Sequence, residues 1–321
     1  MSAVFPSTLH EAAPHRSRWI GCHLACVLAL AAPLAAAEPP SSLSIPFRLV
    51  SPNRFIIVNL TVGALTDVPF ILDTASSSTV ISEKLAERLS LACGGQRVTM
   101  TQTGRRRLPT ATLHTVRIGS ISVNELPVLV TNLARIAGIV DQVDGVLGQD
   151  VLQQFNYLID YRERRLEIDL DQSLRPRLQG EWLPFSLENR RLLVHARLRE
   201  NPLPLVLAVD SAASSVVLFA HDDLAVDLQG RLEQVRLLSM LGENVALRGY
   251  VQSIEVGDQM FRRVLTTLTD MPRGWIHVEQ DGLLPTSLFE SIYVDNLTRA
   301  IMFNPLRADP TPRRDAGEGT Q

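Results

Sequence analysis

The chain has 321 residues, a formal net charge of -3 and 45% hydrophobic residues. This length and apolar content suit one large or two medium globular domains and exclude a largely disordered chain. The near-neutral charge gives no electrostatic reason to expect nucleic acid or an anionic membrane as the main partner.

Residues 1–37 have the features of a secretory signal peptide. Basic residues precede an alanine-rich apolar run that ends in a small-residue cleavage site at Ala37. An uncleaved anchor is the rival interpretation, but His23 and Pro33 interrupt a stretch that is already short for a bilayer span. Only Cys93 follows the signal, so no internal disulfide is possible, whereas secreted eukaryotic proteins of this size often carry disulfides. We therefore expect a periplasmic or secreted bacterial protein without stable membrane insertion after cleavage.

After the signal, the pattern predicts short β-strands with few helices. Val58, Leu60 and Val62 alternate with polar neighbours, which is typical of a half-buried strand. Ser82 can cap a short helix, and residues 149–154 can form about one and a half helical turns.

The segment FILDTASSSTVIS, residues 70–82, places Asp73 at the end of an apolar strand and surrounds it with hydroxyl groups. A buried carboxylate without a partner is costly. The rest of the chain should therefore supply a group that makes this position tolerable.

A boundary between two halves is predicted near residue 180, where two prolines and a glycine interrupt any regular element. This gives an N-terminal lobe over 42–180 and a C-terminal lobe over 181–306. Residues 307–321 have no apolar periodicity, and we expect them to form a disordered tail.

The two halves repeat one pattern. The segment LAVDSAASSVVLF, residues 207–219, matches the stretch around Asp73 and contains Asp210. The Asp-Gly pairs that begin at Asp144 and Asp281 follow these two aspartates at equal spacing, since 144 − 73 and 281 − 210 both give 71 residues. Such equal spacing indicates an internal duplication of whole supersecondary units.

A pseudo-twofold arrangement of the halves would bring Asp73 and Asp210 together. Two adjacent carboxylates cannot both ionise easily, so one keeps a proton, and Thr74, Ser211 and backbone N–H groups can hydrogen-bond the pair. Such a pair can hold a water molecule between an acid and a base and hydrolyse an amide. This chemistry needs no metal and no cofactor.

The motifs ILDTA with DGVLG, and AVDSA with DGLLP, resemble the two signatures of retropepsin-like aspartic proteases. The chain is most similar to bacterial secreted forms with two retropepsin-type halves in one chain, an arrangement like a compact pepsin. The resemblance implies an all-β fold of two similar β-barrel lobes related by a pseudo-twofold axis, with a few short helices. It also implies a monomeric aspartic endopeptidase that acts on peptides or unfolded proteins.

The resemblance assigns roles to individual residues. Asp73 and Asp210 would be the catalytic pair, and Thr74 and Ser211 would be the paired hydroxyls that brace the two loops. Ser76 occupies the position from which a serine can reach the outer carboxylate oxygen. The second half has an alanine there, which cannot.

The family closes a β-hairpin flap over its substrate, usually with glycine at the tip. Gly104 and Gly242 lie between strand-like stretches at similar distances after the two aspartates, so we predict two substrate-binding flap tips. The alternative is that both are ordinary hairpin glycines outside the site. Arg105–Arg107 would place positive charge at the first tip.

The sequence departs from the family pattern at three positions. Ala75 and Ala212 replace the usual glycine of each signature, and Pro285 stands where the first half has Gly148. One alternative is therefore an inactive protease-like protein that binds peptides or a protein partner in the cleft. A glycosidase is a second alternative because it also uses paired carboxylates, but the aromatic content of 5% offers few rings to stack on sugars.

Overall fold

The computed structural model describes residues 42–50, 55–101, 104–134, 143–239, 242–271 and 280–307. All of these residues lie in one compact unit, Pro40–Gln321. The predicted signal peptide 1–37 and all but the first residue of the predicted tail 307–321 lie outside the described residues. Within the described residues, no helix combines the length and apolar character needed to cross a membrane.

Strands make up most of the first half of the described chain. Its elements are β1 (Ser42–Pro46), β2 (Arg48–Val50), β3 (Phe55–Val62), β4 (Leu65–Leu72), β5 (Val80–Ser82), α1 (Glu83–Arg88), β6 (Gln96–Thr101), β7 (Gly104–Ile118), β8 (Ile121–Thr131), β9 (Gly145–Leu147), α2 (Gln149–Leu152), β10 (Asn156–Asp160) and β11 (Arg165–Asp169).

The rest of the described chain is again mostly strand, with 3-10 turns at Arg175–Arg177 and, in the place of α2, at Thr286–Leu288. Its strands are β12 (Leu178–Gln179), β13 (Leu183–Pro184), β14 (Ser186–Glu188), β15 (Arg191–Leu198), β16 (Leu205–Asp210), β17 (Val216–Ala220), β18 (Gln229–Ser239), β19 (Gly242–Val256), β20 (Gln259–Asp270), β21 (Gly282–Pro285), β22 (Ser291–Asp295), β23 (Ala300–Phe303) and β24 (Leu306–Arg307).

Two eight-stranded sheets have the same topology. The first sheet has the order β2-β3-β4-β9-β5-β8-β7-β6, and the second sheet has the order β14-β15-β16-β21-β17-β20-β19-β18. In each, a short apolar strand, β9 or β21, runs parallel to the strand that leads to the aspartate. The predicted all-β class with two similar lobes and few short helices is confirmed.

A third sheet of six strands, the central sheet, joins the halves in the order β1-β11-β10-β22-β23-β13. β10 and β22 pair antiparallel at its middle, from Tyr157 opposite Val294 to Asp160 opposite Ser291. From one edge to the middle the order is β1-β11-β10, and from the other edge it is β13-β23-β22. These two series are equivalent, as a pseudo-twofold relation between the halves requires. The boundary near residue 180 stays a prediction.

The main hydrophobic core is continuous across both halves. It includes Phe70 and Leu147 beside Asp73, and Leu207 and Leu284 beside Asp210. The central strands β9 and β21 are buried on both faces, which explains why they read as unbroken apolar runs and not as alternating ones.

The two predicted helices are present. Ser82 caps α1 by accepting a hydrogen bond from the Leu85 N–H at 3.0 Å, and Leu85 and Ala86 face the core. α2 lies within the predicted range 149–154.

Close packing in the second sheet predicts that Gly282 cannot be replaced by alanine. An added Cβ would lie 2.0 Å from the Val217 carbonyl oxygen, and a backbone atom of a central strand cannot easily move away. We expect Gly282→Ala to lower the free energy of unfolding by about 3 kcal/mol in urea titrations.

Gly94→Ala is the matched control. It is exposed, and a Cβ there would meet nothing within 4 Å, so we expect a change of at most about 1 kcal/mol. Equal losses in the two variants would contradict the packing argument.

Candidate active site

Asp73 begins the turn that follows β4. Its N–H donates to the Leu147 carbonyl at 3.0 Å, which ties the turn to the neighbouring strand β9. One carboxylate oxygen, Oδ1, accepts the N–H groups of Ala75 and Ser76, both at 2.9 Å. The loop backbone therefore fixes the orientation of this carboxylate.

Asp210 ends β16 in the same geometry. Its Oδ1 accepts the N–H groups of Ala212 at 2.7 Å and Ala213 at 3.1 Å. The two aspartate loops thus have matching hydrogen bonds as well as matching sequence. Because these donors favour the charged form of each carboxylate, they oppose the effect of burial.

Thr74 and Ser211 connect the two loops through reciprocal hydrogen bonds. The Thr74 N–H donates to Ser211 Oγ and the Ser211 N–H donates to Thr74 Oγ1, both at 3.0 Å. Thr74 Oγ1 donates to the Val209 carbonyl and Ser211 Oγ to the Leu72 carbonyl, both at 2.7 Å. Each hydroxyl therefore bridges the N–H of one residue and the carbonyl of another across the two halves.

Burial perturbs both carboxylates, and the charge of Asp73 perturbs Asp210 further. Desolvation raises the pKa of Asp73 above its usual range. Desolvation, followed by the nearby charge of Asp73, raises the pKa of Asp210 to about 8. Asp210 is almost fully buried, whereas Asp73 keeps part of its surface open. Each carboxyl therefore favours its protonated form more than an exposed aspartate does.

Arg191 is a residue of the candidate site that the sequence interpretation missed. Its positive charge lowers the pKa of both Asp73 and Asp210, although burial outweighs this effect. Its Nη1 donates to Gln280 Oε1 at 3.3 Å. Only the strand register reveals its place beside the pair, because nothing in its local sequence distinguishes it from the other arginines.

Ala75 and Ala212 occupy the third position of each signature without backbone strain. Neither is among the described residues with positive φ, so no glycine is required at either position for its backbone angles. The Ala212 methyl, together with Phe55, packs against a buried cluster of the first sheet that includes Val143. The methyl group there contributes to packing between the two halves.

Ser76 differs from its predicted role. Its hydroxyl donates to the Ser78 carbonyl at 2.9 Å, so its proton is directed into its own loop. Its backbone N–H, and not its side chain, bonds Asp73. A serine hydroxyl can donate to a backbone carbonyl of its own loop, and here it does so.

Gly104 and Gly242 occupy equivalent places in two long hairpins. Gly104 pairs with Thr101 at the end of β6–β7, and Gly242 pairs with Ser239 at the end of β18–β19. Both glycines are buried, although each lies near the end of a hairpin. Residues 102–103 and 240–241 lie outside the described residues, and the substrate-binding role of both glycines stays a prediction.

The glycine and proline that differ between the halves have structural explanations. A Cβ at Gly148 would lie 2.7 Å from the Ser78 carbonyl carbon, so only glycine fits at this position. Pro285 instead lies opposite Asp210 at the end of β21 and precedes a 3-10 turn.

Asp144 and Asp281 do not form a second acidic pair. Asp144 pairs with Arg88 at 3.0 Å, whereas Asp281 accepts the Val206 N–H at 2.7 Å and contacts His221 at 3.1 Å. In the described part of the chain, no group of three or more His, Cys, Asp or Glu side chains is arranged to hold a metal ion.

A family model described as aspartyl protease matches residues 58–151, which include Asp73 and the β9 segment. The resemblance to the aspartyl protease family is confirmed. The match lies in the first repeat. The second repeat has a sheet of the same topology and an aspartate loop with matching hydrogen bonds. No curated protein matches the chain.

Solved structures with low sequence identity are also similar. An aspartic proteinase from Irpex lacteus is 13% identical, with 82% of this chain and 96% of that chain covered and a TM-score of 0.48. A retropepsin-like aspartic protease from Rickettsia conorii is 18% identical, with 40% and 90% covered and a TM-score of 0.29. Conglutin gamma, a basic 7S globulin from lupine seeds, is 11% identical, with 83% and 95% covered and a TM-score of 0.47.

The reciprocal bonds predict that Thr74→Val destabilises this protease-like chain. Valine keeps the shape of threonine but leaves the Ser211 N–H and the Val209 carbonyl without their buried partner. We expect the free energy of unfolding to fall by about 2–4 kcal/mol, because two buried polar groups become unsatisfied. Urea unfolding would measure the change.

Thr115→Val is the control for this substitution. The Thr115 hydroxyl lies on β7 and makes an exposed hydrogen bond to Asn124. Its loss should change stability by less than about 1 kcal/mol. Similar effects of the two substitutions would mean that the cross-lobe bonds do not stabilise the fold.

The raised pKa of Asp210 predicts a stability that depends on pH. Folding favours the protonated form, so the stability from its proton is fully present below the ordinary value of 3.8 and is lost as pH rises through about 8. Asp210→Asn cannot ionise. The stability of the natural chain relative to this variant should therefore decrease between pH 4 and pH 8 in urea titrations, and a constant difference would contradict the raised pKa.

Proposed function

We propose that the chain is an aspartic endopeptidase that hydrolyses peptide bonds with water activated between Asp73 and Asp210. The observation that supports this most is that Asp73 and Asp210 lie on equivalent loops that are joined by reciprocal hydrogen bonds. The proposed substrates are peptides or unfolded protein segments, and the proposed location is the periplasm or the cell exterior.

The proposed mechanism follows from the protonation of the pair. The ionised carboxylate removes a proton from water as the water oxygen attacks the peptide carbonyl carbon. The protonated carboxyl donates to the carbonyl oxygen, which gives a neutral tetrahedral diol. Return of one proton to the leaving nitrogen then allows the C–N bond to break. Neither aspartate is permanently the acid or the base.

The fixed loops support this chemistry energetically. Oδ1 of each aspartate already accepts two backbone N–H groups, so Oδ2 of each is the oxygen left to act on water or substrate. Because both loops are linked through Thr74 and Ser211, the carboxylates need little reorganisation during the reaction.

The backbone conformation weakens the case for an inactive cleft. Ala75 and Ala212 replace the usual glycines, but both alanines have backbone angles that L-residues adopt readily. Their N–H groups still reach the two carboxylates. An alanine in each signature is thus compatible with the arrangement that the proposed mechanism requires.

Substitution of either aspartate tests the proposal. Asp73→Asn and Asp210→Asn each remove one proton-transfer group, so cleavage of an unfolded protein should fall by about 10²–10⁴-fold. The assay would follow peptide release from mildly acid to neutral pH.

Asp144→Asn is the matched control, since it replaces another acidic residue of the same repeat that lies outside the pair and contacts Arg88. It should retain cleavage. Equal cleavage by all three variants and the natural chain would remove the pair from the mechanism. Peptide binding without turnover, with turnover appearing only in Ala75→Gly/Ala212→Gly, would favour the inactive binding protein.

A further inference from the structure

The surroundings of the two aspartates differ at one cross-strand position. When the β3–β4 register is continued by two residues, Phe55 lies opposite Asp73. When the β15–β16 register is continued by two residues, Arg191 lies opposite Asp210. Side chains directly opposite each other in an antiparallel pair are on the same face. The repeat therefore puts a phenylalanine at the position opposite one aspartate and an arginine at the position opposite the other.

A second position differs in the same way. Val143 and Gln280 each immediately precede the Asp-Gly pair of their half. Phe55 packs against the apolar cluster that contains Val143. In the second half, Arg191 instead donates to Gln280, whose Nε2 donates to the Gly282 carbonyl at 2.9 Å. An apolar pair in one repeat has thus been replaced by a hydrogen-bonded polar pair in the other.

A tight turn and a buried amide hold Arg191 in place. Asn189 and Arg190 have φ values of 49° and 63°, as a two-residue turn with both central residues left-handed requires. This turn makes Arg191 the first residue of β15. Gln280 is 2% exposed, so its amide is a fixed acceptor for the guanidinium.

Among the residues that the structure describes, few other charges are placed to act on the carboxylates. Within that part of the chain, Arg191 is the cation that lowers the pKa of both members of the pair. The central strands β9 and β21 contain no titratable side chain. On β14, Glu188 lies opposite Arg191, and Arg190 donates to the Ser77 carbonyl at 3.4 Å. Asp281, which precedes β21, is held by Val206 and His221.

We propose that Arg191, positioned by Gln280, is the fixed counter-charge of the Asp73–Asp210 pair and shifts to lower pH the range in which the pair holds one proton. The guanidinium stabilises each carboxylate in its charged form, so both proton-binding steps of the pair occur at lower pH than they would without it. Only the effect on catalysis rests on the proposed function, because a catalytic pair of carboxyl groups must hold one proton.

The decisive variant is Arg191→Phe/Gln280→Val, which gives the second half the Phe55 and Val143 pair of the first. Carboxyl ¹³C NMR of aspartate-labelled protein would follow the titration, with Asp73→Asn and Asp210→Asn used to assign the signals. Both apparent pKa values of the pair should rise by about 1–3 units, because an opposite charge at close range has been removed. Arg191→Gln should cause a similar rise, which covers the case in which the double variant fails to fold.

Two further variants separate charge from shape. Arg191→Lys keeps the positive charge and should keep most of the natural titration. Arg197→Gln removes an exposed arginine from the same strand and should leave the titration unchanged. Unchanged pKa values in Arg191→Gln and in the double variant, or a rise as large in Arg191→Lys, would overturn the proposal.

The titration separates this inference from the proposed function. If the chain cleaves peptides, its bell-shaped pH profile should move to higher pH in the double variant by the same amount as the NMR values. If no peptide cleavage is found under any condition, the proposed function fails, but the NMR titration still decides whether Arg191 is the counter-charge.

Discussion

The reciprocal hydrogen bonds between Thr74 and Ser211 are the constraint on which the site depends. Both residues are almost inaccessible to solvent, so water cannot replace the partners that either hydroxyl provides. Each hydroxyl accepts an N–H and donates to a carbonyl, and both of these partners belong to the other half. A shift of one loop would therefore leave several buried polar groups unsatisfied. The positions of the two carboxylates follow from this link, because each aspartate immediately precedes one of the linked residues.

Because the two aspartate loops are so similar, they cannot by themselves make the two carboxylates ionise differently. Asp73 and Asp210 receive matching N–H donors from matching loops, so the loop hydrogen bonds give no strong reason for the carboxylates to ionise differently. Differences must come from outside the loops. The neighbouring strands β3 and β15 supply such a difference, since one begins with Phe55 and the other with Arg191. The duplicated loops thus have matching geometry, and the two neighbouring strands differ in charge at their first residue.

The sequence predicted the features that occur in both repeats. The equal spacing of Asp73 and Asp210 from their Asp-Gly pairs revealed the repeat, and the repeat predicted two similar sheets. The hydroxyl pair was predictable for the same reason. Arg191 and Gln280 were not, because their importance depends on the β15–β16 register and on the absence of a similar pair in the first half. Ser76 was misjudged because a side chain with several acceptors in reach cannot be assigned from its position alone.

The methyl groups of Ala75 and Ala212, the two alanines of the signatures, need space in the surrounding structure. The Ala212 methyl packs against the same apolar cluster as Phe55, so an added methyl group is accommodated where that cluster exists. The equivalent cluster of the second sheet is built around Leu193, Ala208 and Phe219, and Ala75 is not among the described residues that pack against it. The two methyl groups therefore have different surroundings, although both loops keep the same hydrogen bonds to their aspartates. The repeat thus conserves the backbone of the loops more closely than the packing around them.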